Sequence, residues 1–142
     1  MHDASDSRHP IHNRLLSVLP PAEFAVIKPH LVEASFQAGE MLARSGDVLR
    51  TCFFPNNGMV SLLCVTEQGR SVETGFAGFE GMIGVPVILG KNEMPYDALV
   101  QASTTGFTAD ARVVLDLFNR GAVFHDAALR FAYVILKQMS QT

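Results

Sequence analysis

The sequence has no apolar run of the roughly 18–20 residues that a membrane-spanning helix requires. Its first residues, Met1 to Asn13, are polar and carry no apolar core of a secretory signal. The expected compartment is therefore the cytoplasm, with no membrane partner. Basic residues are also few: 11 Lys and Arg against 14 Asp and Glu leave a net charge of −3. A domain that holds DNA unaided normally presents a basic face, so no DNA contact is expected from this chain itself. Only two cysteines occur, Cys52 and Cys64, both in apolar β-like segments. They read as two buried thiols of a reducing compartment rather than a disulfide or a metal pair. Two are also too few for an iron–sulfur centre, which takes about four thiolates.

Catalytic patterns are missing as well. No His lies between His30 and His125, which removes the His-x-His ligand set of cupin-type jelly rolls. There is no Gly-x-Ser-x-Gly elbow. Ser61 and Ser71 have no His nearby in sequence. His30, His125 and Cys52 would be the candidate haem ligands, but each reads more simply as a helix-end or core residue. The expectation is a protein that is not an enzyme and implies no metal or cofactor.

What is present is a folded domain: 142 residues, 48% hydrophobic and 18% charged. Residues 1–12 read as a flexible arm, 13–125 as one domain, and 126–142 as the start of a further helix. Leu15, Leu16 and Leu19 suit one face of a short helix over Asn13–Leu19. Pro20-Pro21 begins a second, with Phe24, Ile27 and Leu31 apolar and Pro29 disturbing its last turn. From Val32 the runs become short and β-branched. Strands are expected at Glu33–Phe36, Met41–Ala43, Thr51–Pro55, Met59–Thr66, Ser71–Ala77, Met82–Ile83, Ala98–Ala102 and Gly106–Ala109. Asn56-Asn57-Gly58 and Glu67-Gln68-Gly69-Arg70 are hairpin signals. The pattern is mainly β with flanking α, a jelly roll. Helical periodicity returns over Ala109–Asn119, with Asn119-Arg120-Gly121 as a stop. A last helix is expected from about Asp126. In it, Leu129, Tyr133, Leu136 and Met139, with Ala132, fall at spacings of three and four. These residues form either a two-fold dimer seam or a face folded back on the roll.

The most informative stretch is Gly78–Ala98. Its glycines cluster where a strand would pass into one helical turn, a shape that offers backbone N–H groups to a small anion. The candidate ligand-contacting residues are Gly81, Gly84, Val85, Pro86, Val87, Tyr96, Asp97 and Ala98.

Several motifs, in order, resemble the sensory domain of the Crp/Fnr family of bacterial transcription regulators. They are Asn13-Arg14-Leu15-Leu16 with Leu19-Pro20; Gly39-Glu40 with Gly46-Asp47; Phe53-Phe54-Pro55 with Gly58-Met59-Val60-Ser61-Leu62; and Gly78-Phe79-Glu80-Gly81-Met82-Ile83-Gly84. The resemblance implies a double-stranded β-helix of the cyclic-nucleotide-binding type with a C-terminal dimerisation helix. It implies a homodimer that reaches DNA only through a helix-turn-helix domain, and nothing here resembles that domain. The chain would be an excised sensory domain or a product without its output half, and the uncapped last helix favours excision. The alternative role is a regulatory module attached to an enzyme or channel.

The resemblance also implies a test of the cassette. In nucleotide-binding members a Glu contacts the ribose, and an Arg, followed by Ser or Thr and then Ala, holds the cyclic phosphate. Here those positions fall on Val85, Tyr96, Asp97 and Ala98. Each charge-assisted contact is worth about 1.5–3 kcal/mol. Loss of both anchors, with a carboxylate added, weakens binding on the order of a thousandfold. Pro86 removes a further N–H. Lys91 is the nearest replacement cation, and Arg70 reads as a solvated turn residue. The cassette is then either repurposed for an unknown effector, apolar at Val85, Val87, Ile88 and Leu89 and polar at Tyr96 and Asp97, or closed by its own side chains.

Overall fold

A computed structural model describes residues 10–120 and 122–141. Its element order is helix α1 (Arg14–Ser17), helix α2 (Pro21–Ile27) and a 3-10 turn (Lys28–His30), then strands β1 (Val32–Phe36), β2 (Met41–Ala43), β3 (Thr51–Pro55), β4 (Met59–Val65) and β5 (Ser71–Ala77). A short helix α3 (Val85–Ile88) precedes β6 (Asp97–Ala102) and β7 (Thr104–Asp110), and α4 (Ala111–Arg120) and α5 (Ala122–Ser140) follow. The strands form two antiparallel sheets, β1-β7-β3 and β2-β6-β4-β5. Their inner faces share one core, with Phe54, Phe107, Val60 and Val100 fully enclosed. This is the jelly roll with flanking helices that the strand spacing and the resemblance imply.

Two turns show how short segments set the roll. Glu40 and Asp47 each fold back so that a carboxylate oxygen accepts from the backbone N–H three residues earlier, at Gln37 and Arg44. Each turn then closes through its reciprocal backbone bond, Glu40 N–H to Gln37 and Asp47 N–H to Arg44. The glycine before each acid takes positive φ, +96° at Gly39 and +93° at Gly46. The paired Gly-acid motifs are thus a repeated turn design.

The structure corrects several expectations. The two hairpin signals behave differently. Glu67–Arg70 does join neighbours, β4 and β5, and the turn is closed by Thr66 and Arg70. Asn56-Asn57-Gly58 joins β3 to β4, which lie in different sheets, so it is a corner rather than a hairpin. A Cβ at Gly58 would overlap backbone oxygens of Ala102 and Ser103, which close on the corner. Met82–Ile83 is not a strand. Ile83 makes a single two-way bridge to Phe53, because Gly81 and Gly84 on either side bend the chain out of the sheet.

The first helix is one turn rather than Asn13–Leu19, with Asn13 as its N-cap. Residues 10–12, expected within the arm, are tied to Asn56: its amide nitrogen donates to Pro10 O and its carbonyl oxygen accepts from His12 N. The rest of the arm lies outside the described residues. The helix expected over Ala109–Asn119 starts at Ala111, because Ala109 and Asp110 complete β7 opposite Cys52 and Thr51. It runs to Arg120, and Gly121 of the stop signal is outside the described residues.

The last helix begins at Ala122, four residues before the expected Asp126. Among the described residues, a distant side chain meets its first amides. The Glu23 carboxylate of α2 accepts from the N–H groups of Val123 (3.1 Å) and Phe124 (2.8 Å). A carboxylate satisfies free amides and also opposes the helix dipole there. On α5, Phe124, Ala127, Ala128, Phe131 and Ile135 bury against the roll. Leu129, Tyr133 and Leu136 lie on the other side, with Tyr133 and Leu136 64% and 65% exposed. The helix thus folds one face back on the roll and leaves Leu129, Tyr133 and Leu136 uncovered on another. Met139, expected in the seam, is half-buried against the core, as is Ala132.

Candidate functional site

The glycine-rich turn lies between β5 and β6 and is held from three sides. From the N-terminus, the side chain of Asn13, wholly buried, donates to Gly81 O (2.7 Å) and Pro55 O (2.8 Å). Its own oxygen accepts from Leu15 N and Leu16 N. Arg14 N donates to Phe79 O, and its guanidinium lies 5.5 Å from the centre of the Phe79 ring. From the roll, Phe53 and Ile83 exchange backbone hydrogen bonds at 3.0 and 2.8 Å. From the C-terminus, the Phe131 ring of α5 lies where a Cβ on Gly81 would be. Gly81 is glycine to admit that ring. Gly84 is glycine for two reasons, a φ of +124° and a Cβ position only 2.8 Å from Cys52 Sγ.

Gly84 hands over to α3, whose residues Val85, Pro86, Val87 and Ile88 are all buried. As an anion cradle this turn is poor. Pro86 has no N–H, and the Val87 N–H is already bound to Gly84 O at 3.0 Å. Val85 supplies no acceptor for a ribose. Tyr96, just before β6, and Ala98 and Val100 on that strand are buried at alternate positions. Burial pushes the Tyr96 phenol up to about 12, with Cys64 adding to the shift, so it is neutral and cannot replace a cation. Asp97, expected in the pocket wall, is engaged elsewhere by its side chain. Its carboxylate accepts from Ser45 N at 2.8 Å, tying β6 to the turn before β3. Leu89, also expected in the wall, is exposed. Lys91 is exposed and points to no cassette partner, and Arg70 is an exposed turn residue.

Met82, Ile83, Val85, Val87, Ile88, Met94 and Tyr96 thus join the continuous core, each buried. Of the two cassette readings, closure by the chain's own side chains fits this packing better. The residues that sequence reading missed are Asn13, Phe131 and Glu23. Asn13 was visible as the start of a motif, and its cap role follows from its residue type. Its two long-range bonds had no local signal.

Other expectations are settled nearby. Cys52 is buried, whereas Cys64 is exposed on β4, because the far half of that strand extends past the core. His125 stacks on Phe118 at 4.3 Å, and its Nδ1 lies 3.2 Å from Phe118 O. His30 is exposed at the end of the 3-10 turn. Glu80 accepts from Gly78 N within the turn, and Glu73 accepts from Ser61 Oγ at 2.5 Å.

Burial raises the Cys52 thiol from 9.0 to about 12, and the nearby Asp110 charge adds to the shift. A raised acid binds its proton more tightly when folded. Its contribution is therefore complete below pH 9 and is lost as pH climbs from 9 towards 12, and Tyr96 acts in the same direction. Urea midpoints measured from pH 8 upward should fall progressively above pH 9. The fall should be shallower in Cys52→Ala, and identical slopes in the two proteins would refute the assignment to Cys52.

Two antiparallel sheets, a helical glycine turn between β5 and β6 and a long closing helix define a β-roll module with flanking helices. Residues 33–120 match the cyclic nucleotide-binding domain, and the chain belongs to that family. No curated protein matches it. Among solved structures, it resembles a candidate cyclic nucleotide binding protein of Ruegeria pomeroyi DSS-3, with TM-score 0.71 and 18% identity over 99% of this chain and 65% of that one. It also resembles the N-terminal domain of a transcriptional regulator from Streptomyces coelicolor A3(2), with TM-score 0.65 and 16% identity over 93% of this chain and 94% of that one. A third likeness is to the Thermus thermophilus catabolite activator protein, with TM-score 0.70 and 16% identity over 90% of this chain and 60% of that one. The chain thus spans less than two thirds of the Ruegeria and Thermus proteins. Among the described residues, no helix is long and apolar enough to cross a membrane.

Proposed function

We propose that this chain is the sensory and dimerisation domain of a Crp/Fnr-type transcription regulator, non-enzymatic and cytoplasmic, whose cassette does not bind cyclic AMP or cyclic GMP. The observation that carries the reading is the seat of Gly81 on Phe131. A shift of the glycine turn must move the helix that presents Leu129, Tyr133 and Leu136. In this reading those three residues meet a second copy across a two-fold axis, and a signal in the roll alters that pairing. DNA is reached through a separate output domain.

The cassette reading rests on the missing cation: Tyr96 is buried and neutral where a phosphate would need a positive charge. In thermal-shift titration, millimolar cyclic AMP and cyclic GMP should leave the melting temperature unchanged. Stabilisation at micromolar nucleotide would overturn this part. The regulator role is tested separately. The full gene product should bind DNA with sequence preference, and light scattering should give a dimer that Tyr133→Glu with Leu136→Glu converts to monomer. Absence of sequence-preferring DNA binding would refute the regulator role, and an unaffected dimer would refute the seam.

A further inference from the structure

A second cleft lies beside the cassette rather than within it, and its volume is about 650 Å³. That is within the range of small-molecule sites. One wall is the loop entering β3, one is the tail of the cassette after α3, and the third is the first turns of α4. Tyr96, Ala98 and Gly84 take no part in it. Its charged residues are Arg50, Lys91, Arg112 and Asp110. Leu49, Val87 and Leu115 give it an apolar side.

The charge balance is what points to a ligand. Asp110 is held in its ionised form, its pKa lowered by the backbone N–H and the charge of Arg112. It accepts from Arg112 N at 2.8 Å and pairs with the guanidinium at 3.5 Å. The Asp110–Arg112 pair therefore neutralises itself. Among the described residues, the Arg50 guanidinium and the Lys91 ammonium have no hydrogen-bond or ion-pair partner. Two uncompensated cations from separate loops thus share one cleft with an apolar wall, in a chain whose net charge is −3.

We propose that this cleft binds an amphipathic organic anion, a phosphate monoester head carried on an apolar body. Its head would meet Arg50 and Lys91, and its body would lie against Leu49, Val87 and Leu115. Guanidinium and ammonium together suit an anionic oxygen cluster, the first by its planar fork and the second as a mobile point charge. Such a ligand would join the cassette tail to the start of α4. The proposal does not depend on the regulator reading or on the state of the cassette.

The test uses 1-naphthyl phosphate, 1-naphthol and inorganic phosphate as probes of this chain in titration calorimetry. Naphthyl phosphate should bind more tightly than either other probe, because only it uses both parts of the cleft. Its affinity should drop about tenfold or more in the double variant Arg50→Gln with Lys91→Gln, and fall as salt is raised. It should be unchanged in Tyr96→Phe, which alters the cassette alone. Both substituted cations are exposed, so unchanged melting of the double variant checks that it is folded. No binding by naphthyl phosphate, equal binding by naphthol, or full retention of affinity in the folded double variant would each overturn the proposal. Loss of binding in Tyr96→Phe with retention in the double variant would move the ligand to the cassette and also overturn it.

Discussion

Gly81→Ala should destabilise the domain by about 3 kcal/mol, at the upper end of overpacking costs. The added methyl would fall on the Phe131 ring, which is 5% exposed and enclosed by the roll, so neither side can yield freely. Two ways of relaxing exist: the turn retreats, or α5 lifts. The turn is pinned by Asn13 and by the Phe53–Ile83 exchange, so α5 is the part that should move. Urea unfolding measures the loss, and hydrogen exchange across 122–140 locates it. Phe131→Leu in the same chain should recover part of the stability, giving a coupling that the two single changes do not sum to. Additive effects, or Gly81→Ala as stable as the parent, would show that turn and helix are not seated on one another.

A still larger effect is expected at Asn13. Asn13→Ala removes the cap of α1, worth about 1 kcal/mol. It also takes the donors from the carbonyls of Pro55 and Gly81, at about 1–3 kcal/mol for each buried group left unpaired. The total, about 3–7 kcal/mol, is a large part of the stability of a domain this size. Asn13→Asp separates the two contributions. Its carboxylate can still accept from Leu15 and Leu16, but it faces two carbonyl oxygens with no proton to give. Burial and those oxygens raise its pKa, so this variant should gain stability as pH falls through that raised value, when one donor returns. A pH-independent deficit in Asn13→Asp, or a loss under 1 kcal/mol in Asn13→Ala, would contradict the hydrogen-bond set.

These two positions show where reading the chain succeeds and where it stops. β1, β2, β3, β4, β5 and β6 each fall within a residue of the segments that alternation and glycine punctuation mark out. The cassette turn, the loss of its cation at Tyr96 and the proline in its helical turn are also visible in the residues themselves. All of these are local: φ preference, missing N–H groups and apolar period act within a few residues. The Asn56–Gly58 corner shows the limit. Asn and Gly there do specify a tight turn, but whether its two strands pair or part depends on β6 and β7, which arrive much later and take the places beside β4 and β3.

From the sequence alone came the β-roll with its flanking helices, the bend of the glycine turn and the absence of a positive clamp within it. The tertiary structure alone decided the rest. The start of α5 is set by Glu23, about a hundred residues earlier in the chain. The Asp97 carboxylate is bonded to Ser45 N, from a turn about fifty residues earlier. Gly81 is required by Phe131, and Arg50, Lys91 and Arg112 come to one cleft from three separate segments. The reason is the same in each case. A residue's conformational preference is written in its own atoms and its neighbours', whereas a hydrogen-bond partner, a packing surface or a shared charge exists only once distant segments have been brought together.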